Sequence, residues 1–175
     1  MAGTTWRTGL GWGLGLLILS IAWGAEPDKP AGATYTDNDY GFSLALPKFE
    51  GRGQQTELLM SYHAAAVDGF SSNLNIQAQK GKFTRDQYRA LSEGQMKQVG
   101  FTIHSTEELQ VSSADALLLD YEGKLQETPL HWLALAVIRD DHVLLVSCTA
   151  MESQFPMVKE QFLNSLKTFK LTPAR

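Results

Sequence analysis

The sequence predicts an α+β fold: a mainly antiparallel β-sheet of about six to seven strands with helices packed on it, an α/β/α sandwich. Three observations predict it. Short segments of alternating apolar and polar residues recur between residues 40 and 149, the period of strands. Only two stretches carry apolar residues three and four apart, and they lie far from each other, at 85–99 and from 154 onward. Residues 130–149 are apolar on both alternations, so both faces of that strand pair must be covered.

The elements follow in order. In "YGFSLALP", Phe42, Leu44 and Leu46 alternate with smaller residues until Pro47 stops the strand. "ELLMSYH" puts Leu58, Met60 and Tyr62 on one face. "NLNIQAQ" is the cleanest alternation: Leu74, Ile76 and Ala78 point one way, and Asn73, Asn75, Gln77 and Gln79 the other. A helix is expected over 85–99. Thr84 and Gln87 have the spacing of a capping box, Phe83 and Tyr88 that of a hydrophobic staple, and Gly100 suits a left-handed end. "FTIHSTEELQV" and "DALLLDYEGKL" form a strand pair joined through Ser112-Ser113-Ala114. Glu127-Thr128-Pro129 reads as a break before "LHWLALAVIR". The closing "ESQFPMVKEQFLNSLKTFKL" places Phe155, Val158, Phe162, Leu166 and Phe169 on one helical stripe. Pro156 fits only a first turn, so that helix starts near Gln154 or Phe155.

Length and composition bound the remainder. The chain has 175 residues, 43% hydrophobic and 19% charged, enough for one domain with a sizeable core. Fifteen Lys and Arg against 19 acids give a net charge of −4 with no basic run. A phosphate backbone needs clustered cations, so nucleic acid is a poor partner, and an anionic membrane surface is disfavoured for the same reason. Residues 1–24 have the plan of a signal peptide: Arg7, an uncharged stretch from Thr8 to Ala25, and small Ala22 and Gly24 before a cut after Gly24. Gly9, Gly11, Gly13 and Gly15 dilute the apolar run, which favours cleavage over an uncleaved anchor. The expected product is periplasmic or extracellular. It comprises a flexible linker at 25–34, rich in Pro, Gly and Ala, and a single domain over 35–172. Membrane contact is expected only if the N-terminal segment is retained.

The stretch "RDDHVLLVSC" holds two aspartates, His142 and the lone cysteine, Cys148. A turn at Asp140-Asp141 sets Val137 opposite Leu144, Leu135 opposite Val146 and Leu133 opposite Cys148. The thiol then lies roughly 20 Å from the turn at an extended rise of about 3.3 Å per residue. This is a hairpin with a buried thiol and a solvated His142 beside Arg139, and not a reactive centre.

This layout resembles the PsbP-like fold family, which includes PsbP, Mog and bacterial DcrB-like envelope proteins. The resembling features are "YTDNDYGFSLALP", the helix "TRDQYRALSEGQMKQVGF", the hairpin "LALAVIRDDHVLLVSCTA" and the closing "FPMVKEQFLNSLKTFKL". One departure is Phe49 after Pro47, where relatives often carry Trp. The resemblance implies the sandwich and a non-enzymatic role, such as adaptor, chaperone or envelope maintenance, and it carries over no catalytic residue.

The expected function is an exported accessory or adaptor domain that binds a protein partner or a small ligand in the cell envelope. The alternative is an envelope hydrolase with a convergent site. No catalytic, cofactor-binding or metal-binding residue is assigned and no cofactor is expected, because His63, His104, His131 and His142 lack metal-ligand spacing in sequence. Asp37 and Asp39 begin a calcium-loop pattern that lacks its later ligands, and they read as a turn. Asp120 and Glu122 alternate on one strand and read as its wet side, and Glu107 and Glu108 as a solvated turn. The candidate partner-binding residues are Phe70, on a small-residue loop, and the amide row Asn73, Asn75, Gln77 and Gln79.

Overall fold

The computed structural model describes residues 33–48, 53–54 and 59–172. Residues 1–24, expected as a signal peptide, residues 25–32 of the expected linker, Phe49 and Leu58 lie outside them. Among the described residues, ten strands and two helices follow in the order β1 (Thr34–Asp37), β2 (Phe42–Ala45), β3 (Gly53–Gln54), β4 (Met60–His63), β5 (Asn73–Lys80), α1 (Arg85–Gln98), β6 (Thr102–Val111), β7 (Ala114–Leu125), β8 (Thr128–Ile138), β9 (His142–Met151), α2 (Phe155–Lys167) and β10 (Lys170–Leu171). β3 to β9 build one antiparallel sheet in the order β3-β4-β5-β9-β8-β7-β6, while β1, β2 and β10 form a small second sheet. This is the expected α+β sandwich. β1 begins at the last residue assigned to the linker. Among the described residues no helix is long and apolar enough to cross a membrane.

The central hairpin has the register read from the sequence: Val137 opposite Leu144, Leu135 opposite Val146 and Leu133 opposite Cys148. Both of its faces are buried. One face carries Leu74, Ile76, Leu133, Leu135, Val146 and Cys148 under α2 and the small sheet. The other carries Leu117, Tyr121, Trp132, Ala134 and Val143 beneath the α1 side, with Tyr88 and Phe101. Phe101 stacks on Trp132 at 5.0 Å and its ring lies where a Cβ on Gly123 would stand, 2.2 Å away. Gly123 is therefore a packing glycine.

Local chemistry explains the helix ends. Thr84 accepts from the Gln87 N–H at 3.2 Å, and Gln87 Oε1 accepts from the Thr84 N–H at 2.9 Å, the reciprocal capping box. Phe83 and Tyr88 meet edge to face at 5.7 Å, completing the staple. At the other end Gly100 takes φ +77°, while Phe101 N–H donates to Met96 O and Gly100 N–H to Lys97 O. This is a Schellman closure, which favours glycine. α2 starts at Phe155 with Pro156 in its first turn. Its C-terminal end is tied to β2: Thr168 Oγ1 accepts from the Ala45 N–H at 2.8 Å, and Ser165 Oγ donates to Ala45 O.

Two expectations about the strands and turns are corrected. Thr128 and Pro129 do not break the pattern but open β8, with Pro129 opposite Lys124. Gln126 and Glu127 form a two-residue turn with φ +48° and +69°, so the pair beyond the first is not hydrogen-bonded and the missing proline N–H falls away from β7. Glu107 and Glu108 lie within edge strand β6, not in a turn. There Glu108 pairs with Arg85 at 2.8 Å and Arg89 at 3.1 Å, linking α1 to the sheet edge.

Candidate functional site

β7 and β8 place Glu122 opposite His131, and β6 lies on the other side of β7. In β6, Ile103 pairs with Tyr121 and Ser105 with Asp120, so His104 is the extra residue of a bulge. A bulge re-aims one side chain, and here the imidazole of His104 stacks at 5.1 Å on that of His131. Three strands thus bring together residues that are 16 and 11 positions apart in sequence.

The resulting cluster sits on the sheet face beside the first turns of α2. His131 Nε2 is 2.5 Å from Asp120 Oδ1, and its Nδ1 is 3.8 Å from Glu122 Oε2. His104 Nε2 is 3.0 Å from the same Glu122 oxygen. Lys159 of α2 reaches Asp120 Oδ2 at 3.2 Å. The Phe155 ring lies parallel to His131 with centroids 3.5 Å apart, sealing one side. Side chains of His131 and Asp120 are 11% and 12% exposed, while His104 is 42% exposed. Asp120 is therefore not on a wet side: its carboxylate is buried and satisfied by an imidazole and an ammonium. His131 and Asp120 have the geometry of a base and its orienting carboxylate, but the other ring nitrogen faces Glu122 rather than a hydroxyl or thiol.

A second feature lies at the opposite end of β7 and β8. Lys82, Phe83, Thr84, Gln87, Ser113 and Arg139, with neighbours from the two hairpin tips, line an open groove of about 640 Å³. It offers cations from Lys82 and Arg139 and carboxylates from Asp115 and Asp140. Thr84 and Gln87 are already engaged in the helix cap.

The residues singled out from sequence fall elsewhere. Cys148 is fully buried, and burial pushes its thiol well above the ordinary range. A thiol so placed is a poor nucleophile. His142 is not simply solvated: Asp141 Oδ1 lies 2.6 Å from its Nδ1, and Tyr40 meets its ring edge-on at 5.5 Å. That hydrogen bond holds the Asp141 carboxyl below its usual range. Phe70 is partly buried against the cluster containing Trp132. In the amide row, Asn73 is buried and donates to Ser71 O. Asn75 donates to Asn73 and accepts from Ser61, whose Oγ also contacts His63 Nε2 at 2.6 Å. Gln79 accepts from Tyr88 at 2.7 Å, and burial pushes that phenol up to about 12. Gln77 is half-buried on the same strand. None of these five residues lines the groove.

No protein-family model and no curated protein matches the sequence. Solved structures do match in shape. The cyanobacterial PsbP protein CyanoP of Synechocystis sp. PCC 6803 superposes with a TM-score of 0.59 at 14% identity, covering 86% of this chain and 98% of its own. The fold is PsbP-like. A Pseudomonas aeruginosa protein of unknown function, PA94, gives 0.58 at 16% identity, covering 83% of this chain and 99% of that one. LpqN of Mycobacterium tuberculosis, involved in cell envelope biogenesis, gives 0.55 at 11% identity, covering 85% and 87%. At such identities the likeness carries the PsbP-like fold and not a task.

Proposed function

We propose that this chain is an exported accessory domain of the cell envelope, an adaptor that binds a protein partner or a small polar ligand and performs no covalent chemistry on it. The observation that carries this reading is the burial of the chain's single thiol in a sheet covered on both faces, while an open, charge-lined groove sits at the hairpin tips. The PsbP-like fold supports it, since LpqN, which shares that fold, is an envelope-biogenesis protein. Groups of both signs in the groove suit a polar or zwitterionic surface better than an apolar one.

The test is affinity capture from envelope extracts with the purified protein and with a Lys82→Glu/Arg139→Glu double variant. Reversing two surface charges that face a partner should reduce recovery of a stoichiometric partner or ligand about tenfold or more. Equal recovery by both proteins removes the groove from the proposal, and no stoichiometric species with either removes the adaptor reading.

A further inference from the structure

We infer that His104, Asp120 and His131 form a binding site for a divalent transition-metal ion, and that zinc is the cation their donor set fits. This inference does not rest on the adaptor reading, because the cluster lies at the other end of β7 and β8 from the groove.

One ligand atom from each residue lies within 4.8 Å of the other two. Around zinc, donors at about 2.0–2.1 Å in a tetrahedron stand roughly 3.3–3.5 Å apart, so binding requires the more exposed His104 ring, now stacked nearly parallel to His131, to turn about its side-chain bonds. The donors come from three adjacent hydrogen-bonded strands, which fix their Cα positions, and the β6 bulge is what turns His104 toward the other two.

Chemistry selects the ion. Two imidazoles and a carboxylate suit zinc and its first-row neighbours, whereas magnesium and calcium favour all-oxygen sets. Lys159 holds Asp120 Oδ2, while Oδ1 and His131 Nε2 face each other at 2.5 Å, the two atoms that would exchange their mutual contact for the ion. Glu122 lies 3.8 Å from His131 Nδ1, the ring nitrogen left over when Nε2 ligates. Metal-binding histidines commonly donate their second N–H to such a carboxylate, which orients the ring. Phe155 stacked on His131 limits its rotation and shields one side, while the exposed edge of His104 leaves an entry path.

Charge agrees with this assignment. With neutral imidazoles the cluster holds two carboxylates against one ammonium, so it presents net negative charge to a dication. Among the described residues the other two histidines have no such convergence: His63 contacts Ser61 and His142 contacts Asp141.

Isothermal titration of zinc chloride into the purified, untagged protein in a non-chelating buffer tests the inference. One zinc per chain is expected. His104→Ala, which removes a partly exposed ring, and the near-isosteric Asp120→Asn should each weaken binding by about tenfold or more, while His63→Ala and His142→Ala bind as the parent does. Cobalt(II) in place of zinc should give visible ligand-field bands that His104→Ala abolishes. An unchanged zinc affinity in His104→Ala overturns the site, as does failure to bind at millimolar zinc. Equal competition by magnesium or calcium overturns the assigned donor set. Circular dichroism of each variant separates loss of a ligand from loss of the fold, and His104→Ala decides the matter if Asp120→Asn does not fold.

Discussion

At the scale of single residues, the histidines of this chain are each held by a neighbouring polar side chain. His63 illustrates the consequence for pH. Burial lowers its pKa below the ordinary 6.5, so between the folded and unfolded values the unfolded chain binds the proton and the native one does not. Stability contributed by neutral His63 is therefore intact above 6.5 and is lost as pH falls through that value toward the folded pKa. Urea unfolding of the parent and of His63→Gln between pH 8 and pH 5 checks the sign: the parent midpoint should fall more steeply across that window. Parallel pH profiles would show that the histidine titrates alike in both states. Asp120 shows where residue-level reading stops. Its alternation with Glu122 was visible in the sequence, but its partners arrive from β8 and α2, and nothing local announces Lys159 or the bulge that turns His104.

At the scale of elements, strong local chemistry was legible and weak chemistry was not. α1 announced itself through Thr84, Gln87 and Gly100, each with a stereochemical reason to sit where it does. The β8–β9 hairpin was readable because two aspartates interrupt an otherwise apolar run. The β7–β8 turn was hidden, since Gln126 and Glu127 have no preference for the left-handed region they occupy, and Pro129 looks like a stop. Reading that turn correctly would have set Glu122 opposite His131 and exposed half of the cluster. β1 and β10, of four and two residues, are too short to show a period.

Two substitutions test the element-level account in opposite directions. Ser113, at φ +74° in the β6–β7 turn, carries a left-handed cost that glycine lacks, so Ser113→Gly should stabilise by about 0.5–1 kcal/mol after glycine's own entropy cost. Gly123→Ala would drive a methyl into the Phe101 ring and should destabilise by about 1–3 kcal/mol through overpacking. Denaturant midpoints at unchanged slope measure both. A neutral Gly123→Ala would mean that the Phe101–Trp132 stack does not bear on that strand.

At the scale of the whole molecule, a central antiparallel sheet is covered on both faces, and the open groove and the histidine–carboxylate cluster lie toward opposite ends of β7 and β8. The apolar double face of the β8–β9 hairpin carried the architecture in the sequence, because a strand pair apolar on both alternations is stable only between two layers. The groove was not legible. Its lining comes from the β5–α1 connection, the first turn of α1 and two hairpin tips, which only the completed topology brings together.

The most direct measurement of that architecture is the reaction of Cys148 with an aromatic disulfide reagent at pH 8, with and without urea. A thiol enclosed between layers should label fully only after unfolding, with native labelling slower by orders of magnitude and limited by opening of the sheet. Rapid, complete labelling of the folded protein would place the sulfur at the surface, contradicting both the buried hairpin and the non-catalytic reading built on it.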